Sequence, residues 1–152
     1  MKVIFLDIDG VMNSQKYDLE KGNDGGIMDP TRLDLLKELI DETQAEVVLT
    51  SSWRHNWSFH EAACFGSGKR IFRELFAHGI RAYDKTPSLF SDRTQEIKAW
   101  LEDNPDAESF VILDDIPFGW EDLEPYVVKT NYRIGRGLEA EHIEKAIQIL
   151  NS

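Results

Sequence analysis

The sequence predicts an α/β fold: a three-layer α/β/α sandwich around a parallel sheet. Three observations predict it. Short runs of Val, Ile, Leu and Phe alternate with longer segments in which apolar residues recur every three or four positions. The short runs are continuously apolar, as in strands buried on both faces. Acidic residues directly follow two of these runs, at Asp7 and at Asp114–Asp115, where an open α/β sheet presents its ligand-binding edge. The 152 residues suit one domain with one core, and no repeat, linker or low-complexity segment divides the range 1–152.

The elements follow in order. Residues 2–6 are a buried strand ending at Asp7, and residues 13–29, polar and containing Gly22, Gly25 and Gly26, read as a long loop. Asp29 caps a helix whose first turn accepts Pro30, and Leu33, Leu36, Leu39 and Ile40 give it one apolar face. A second strand spans 46–50. Ile71, Phe72, Leu75 and Phe76 predict a helix stopped by Gly79, followed by a short third strand at 80–83. Residues 92–103 are helical, with Ile97, Trp100 and Leu101 on one side. A fourth strand at 109–113 ends at the Asp pair, a fifth lies at 126–130, and a last helix covers 138–150.

Composition excludes several classes. No apolar run reaches the roughly 18 residues of a membrane span, and the apolar start is broken by Asp7 and Asp9 too early for a signal peptide. The expected location is the cytoplasm. Cys64 is the single cysteine, so no internal disulfide forms. A formal net charge of −11 disfavours broad binding to phosphate backbones. Part of that acidity fits a Mg²⁺ site, which needs carboxylates. Nothing in the sequence calls for an obligate protein partner. Gly66-Ser67-Gly68-Lys69 fails as a nucleotide loop, because Ala63 and Arg70 stand where Gly and Ser or Thr are needed. His55 and His60 have the wrong spacing for ligands on one helix face.

The chemistry lies in the acids. If the first and fourth strands are neighbours, Asp7, Asp9 and Asp114 converge at one edge. Carboxylates so close repel unless a cation sits between them, and hard oxygen donors select Mg²⁺. Asp7 and Asp9 are two apart, so in extended chain both face one substrate, while Gly10 lets the backbone turn beside them.

Leu6-Asp7-Ile8-Asp9-Gly10-Val11 resembles the first motif of the haloacid dehalogenase superfamily. Val47-Val48-Leu49-Thr50 resembles its second motif, Arg93 lies in the region of its third, and Ile112-Leu113-Asp114-Asp115 resembles its fourth. The order matches, and the set spans most of the chain. A nearer resemblance is to the phosphatase-like domain of Swiss Army Knife RNA-repair proteins, carried by Ser51-Ser52-Trp53-Arg54, by Arg93 through Leu101, and by Leu113-Asp114-Asp115. It implies a Rossmannoid sheet and a Mg²⁺-dependent phosphomonoesterase. It implies Asp7 as nucleophile, and Asp9 as the acid that protonates the leaving oxygen and then the base that activates water. Asp7 and Asp114 would hold the metal through carboxylates, Asp9 through its backbone carbonyl and Asp115 through a bound water. Thr50, with Ser51 as rival, would bond a phosphoryl oxygen. Arg93, with Lys85 as rival, would neutralise it. Arg54 would contact the rest of the substrate or pair with an acid. Segments 13–29 and 54–92 leave room for little or no cap, so the site is expected to be open. The implied substrate is a phosphorylated molecule, with a nucleotide or polynucleotide end favoured by the resemblance and opposed by the charge. A receiver-type signalling domain and a non-catalytic phosphate-binding module are the alternatives.

Overall fold

A computed structural model describes residues 1–152. The sheet has five strands, all parallel, in the order β3-β2-β1-β4-β5. These are β1 (Lys2–Leu6), β2 (Glu46–Leu49), β3 (Asp84–Lys85), β4 (Ser109–Asp114) and β5 (Val127–Lys129). The helices are α1 (Gln15–Lys21), α2 (Pro30–Thr43), α3 (Gly66–Ala77), α4 (Arg93–Asp103) and α5 (Ala140–Leu150).

Strand periodicity divides the core into its two layers. Ile4, Leu6, Val47, Leu49, Val111 and Leu113 face one side, where α2, α3 and α5 supply Leu36, Ile71 and Ile143. Val3, Phe5, Val48 and Ile112 face the other, where α4 supplies Ile97 and Trp100, and a 3₁₀ turn at Glu121–Tyr126 supplies Leu123. Trp100 is therefore core, its ring edge-on to Phe5 and its indole N–H donated to Asp84. α3 packs into the main core through Ile71 and Leu75, so segment 54–92 builds no cap over the sheet.

Register positions the site. Leu6 lies opposite Leu49 on one side and Leu113 on the other. The ladder continues one residue further: Asp7 N–H donates to Leu113 O at 3.1 Å, and Thr50 N–H to Leu6 O at 3.0 Å. Asp7, Thr50 and Asp114 thus finish three adjacent strands at one level.

Some boundaries depart from expectation. The segment expected to be loop contains α1, capped by Ser14, whose Oγ accepts from Tyr17 N–H. None of its residues is buried, so it has no apolar stripe to read. The third strand is Asp84–Lys85 rather than 80–83, because only this pair runs in register with Val48 and Leu49. Ile80 and Ala82 are buried without joining the ladder. The last helix begins at Ala140, with Glu139 and His142 forming a reciprocal capping box.

Candidate active site

Asp7 and Asp114 are buried at the end of the central strands, and Asp115 is half-buried beside them. One carboxylate oxygen from each lies within 4.8 Å of the others. Asp7 Oδ1 accepts from Ile8 N–H at 2.9 Å, and Asp114 Oδ1 from Ile116 N–H at 3.0 Å. Their other oxygens share one cation: Arg93 Nη1 is 3.2 Å from Asp7 Oδ2 and 2.7 Å from Asp114 Oδ2. Arg93 opens α4, and Asp92 caps that helix by accepting from Gln95 N–H.

Three carboxylates against one guanidinium leave the cluster short of positive charge. Burial, then the charge of Asp114, pushes the Asp7 carboxyl up to about 8 despite Arg93. Burial and Asp114 also raise Asp115. Burial works against the Arg93 charge, but Asp7 and Asp114 together hold its pKa above the ordinary value. A hard divalent cation with oxygen preference fits this donor set and would remove the strain that keeps Asp7 protonated.

Thr50 Oγ1 is a second polar group whose bonding capacity fits a bound oxyanion. It is buried at the end of β2 and has no hydrogen-bond partner. Buried hydroxyls are almost always paired. The neighbouring Ser51 hydroxyl is engaged: it caps the 3₁₀ turn Ser52–Asn56 by accepting from Trp53 N–H at 3.2 Å.

Asp9 is exposed, and neutral donors hold both its oxygens. Asn13 Nδ2 donates to Oδ1 at 2.9 Å and Trp53 Nε1 to Oδ2 at 2.8 Å. Asn13 Oδ1 in turn accepts from Gly10 N–H, which ties the carboxylate to the turn that carries it. Gly10 has φ +83°, and a Cβ there would fall 2.2 Å from Asp115 Oδ2, so only glycine lets the two acidic segments meet. The sequence motifs do not include Asn13, and they carry Trp53 without a role, only as part of Ser51-Ser52-Trp53-Arg54. Trp53 reaches Asp9 from another strand's end, so no local pattern marks it, whereas Asn13 acts within the turn that carries Asp9 and Gly10.

Two residues expected near the substrate are engaged within the protein. Arg54 is buried and faces inward. It donates to the carbonyls of Thr50, Ser51, Thr86 and Pro87 and pairs with Glu96 at 3.1 Å. Every donor direction of its fork meets an internal acceptor, so of its two expected roles the geometry shows the pairing with an acid. Lys85 donates its Nζ to the carbonyls of Arg54, His55 and Trp57, which closes the end of the 3₁₀ turn. Arg93, not Lys85, is the cation at the carboxylates. The Gly66–Lys69 stretch is likewise structural, since a Cβ on Gly68 would meet the Asn56 backbone at 2.0 Å. Cys64 is buried and bonded to the Ser58 backbone.

No helix is long and apolar enough to cross a membrane. The family model described as the HAD domain in Swiss Army Knife RNA repair proteins, where HAD stands for haloacid dehalogenase, matches residues 3–143. No curated protein and no solved structure gives a significant match.

Proposed function

The chain belongs to the family of HAD domains in Swiss Army Knife RNA repair proteins, a group of phosphatase-type hydrolases, and on that premise we propose a Mg²⁺-dependent phosphomonoesterase that works through a phospho-aspartate on Asp7. The observation that carries the reading is the convergence of Asp7, Asp114, Arg93 and the unpartnered Thr50 hydroxyl at one sheet edge. A tetrahedral phosphoryl group asks for this set: a nucleophile, a hydroxyl donor and a cation.

Asp7 and Asp114 would hold the metal by their carboxylates, Asp9 by its backbone carbonyl and Asp115 through water. Bound Mg²⁺ neutralises charge on the transferring group. The rest falls to the chain's own side chains. An Asp7 oxygen attacks phosphorus opposite the leaving oxygen. Asp9, in its acid form, gives a proton to that oxygen as the P–O bond breaks. Its carboxylate then takes a proton from water as the water oxygen attacks the phosphorus of phospho-Asp7, releasing phosphate and restoring the carboxylate. Thr50 donates to a phosphoryl oxygen, and Arg93 turns from the carboxylate pair to the phosphoryl charge. Asn13 and Trp53 aim Asp9 throughout.

The family's tie to RNA repair supports a nucleotide or polynucleotide end as substrate. The test is rapid acid quench with ³²P-labelled substrate, followed by peptide mapping. Label on the peptide containing Asp7 is the expected result. Turnover with no protein-bound label, under conditions that hold breakdown slow, would rule out the covalent route.

A further inference from the structure

One flank of α3 is left uncovered. Ile71 and Leu75 enter the core, and beside them Phe65, Phe72 and Phe76 recur at i, i+7 and i+11, the spacing of one helix face. Phe65, at the N-cap, is 64% exposed, Phe76 is 63% exposed and Phe72 is half-buried. Phe59, from the loop before the helix, adds a ring that is 53% exposed. Large apolar groups uncovered together mark an interaction site, whereas single ones do not.

These rings are held to one another. Phe59 packs edge-on to the buried Trp57, with centroids 5.3 Å apart. The Arg81 guanidinium donates to Phe59 O at 2.8 Å and lies 5.8 Å from the centre of the Phe72 ring. Phe72 in turn stacks on Phe76 at 6.3 Å. Phe59, Arg81, Phe72 and Phe76 therefore form one connected surface. Mutual packing has already restricted these side chains, so covering them costs little further rotamer freedom.

The charge around this surface has the opposite sign to that of the chain. Residues 59–81 hold Lys69, Arg70, Arg73 and Arg81 against Glu61 and Glu74, in a protein of net charge −11. Both acids are engaged. Glu74 accepts from Ile27 N–H and Met28 N–H, and Glu61 binds Arg73 at 2.8 Å. Lys69, Arg70 and Arg81 pair with no carboxylate.

An occupant must cover aromatic rings and answer three free cations. A nucleic-acid backbone carries phosphates along its whole length and draws on many cations. The Phe72 ring is already flanked by Phe76 and Arg81, which leaves bases little open face to stack on. A second copy presenting the same face would set cations against cations. A helix with apolar residues on one face and carboxylates beside them matches both features within a few turns, its apolar side chains on the rings and its acids at Lys69 and Arg70. We propose that this flank of α3 is the docking surface for an acidic amphipathic helix of a partner protein. The proposal does not depend on the phosphatase reading, because none of these side chains belongs to the Asp7 cluster.

The experiment titrates the ¹⁵N-labelled chain with a synthetic helical peptide of about five turns, Leu along one face and Glu on the other. A peptide with Lys in place of Glu, single-stranded RNA and phosphatidylserine vesicles are compared. The acidic peptide should move the amides of Phe65, Lys69 and Phe76, leave those of Asp7 and Asp114 in place, and bind at least about tenfold tighter than the basic one. Phe76→Ser should weaken it by about tenfold. Lys69→Glu with Arg70→Glu should invert the preference, so that the basic peptide binds more tightly, a gain that only a folded surface can give. Equal binding of the two peptides, or no shift along α3 with either, overturns the proposal. So does tighter binding of RNA or vesicles at the same amides. Self-association that rises with concentration and is removed by Phe76→Ser also overturns it, by assigning the flank to a second copy.

Discussion

At the scale of single residues, Thr50 is the most exposed to test, because its two properties oppose each other. A buried hydroxyl without a partner destabilises the fold, so Thr50→Val, which keeps the shape, should leave stability unchanged or raise it by up to about 1 kcal/mol. If Thr50 donates to the phosphoryl group as proposed, the same change should lower kcat by about 10²-fold. Urea melts and steady-state kinetics on one preparation check both, and a loss of stability equal to that of a core cavity would mean the hydroxyl has an internal role. Asp9 gives the second residue-scale prediction. Asp9→Asn should slow turnover by roughly 10²- to 10⁴-fold, and less for esters with good leaving groups, which need less protonation. Trp53→Phe, which removes the N–H that reaches Asp9 while keeping an aromatic ring, should show the same leaving-group trend in weaker form. Equal losses for nitrophenyl and alkyl phosphates would remove Asp9 from the acid role.

At the scale of elements, the parts of the fold most legible in the sequence are those whose burial writes a pattern. β1, β2 and β4 are covered on both faces, so they read as continuous apolar runs, and the acids that end the first and the last of them mark the candidate site. α1 buries nothing and leaves no pattern. β3 is two residues at an edge, and tertiary register rather than propensity decides which pair joins the ladder. The same logic separates the basic residues. Arg93, Arg54 and Lys85 look alike in sequence, and only the packed structure shows that one meets the carboxylates while the others face inward. Arg54 and Glu96 instead link elements. Glu96 Oε2 accepts from Arg54 and from Leu89 N–H, and so ties the turn after β2 to the loop before α4 and to α4 itself. One helical turn earlier, α4 carries Arg93. Removing one partner strands a buried charge, so Glu96→Ala should cost about 3–5 kcal/mol by chemical denaturation. A cost below about 1 kcal/mol, the range of an exposed pair, would mean that the link does not hold these elements together.

At the scale of the whole molecule, the net charge of −11 and the buried acid cluster make stability, pH and metal one linked problem. Asp7 is raised from the ordinary 3.8 to about 8 in the metal-free fold, chiefly by burial and then by Asp114. Between these values the folded protein keeps a proton that the unfolded chain has lost. The unfolded state therefore binds fewer protons, and metal-free stability falls as pH rises from about 4 to about 8. Mg²⁺ needs the carboxylates ionised and competes with that proton. Its effect on the melting temperature should therefore be small near pH 5 and largest at pH 8 and above. At a concentration a hundred times its Kd, Mg²⁺ adds about 2.7 kcal/mol, which for a domain of this size is a rise of roughly 5–10 °C. Asp114→Asn should abolish most of the rise, because it removes one of the two buried carboxylates that share Arg93. Thermal melts with and without Mg²⁺ across pH 5–9 read this directly, with Ca²⁺ as the comparison for a larger cation. A rise that does not depend on pH, or that survives Asp114→Asn, would place the metal on the general acidic surface and away from the Asp7 cluster.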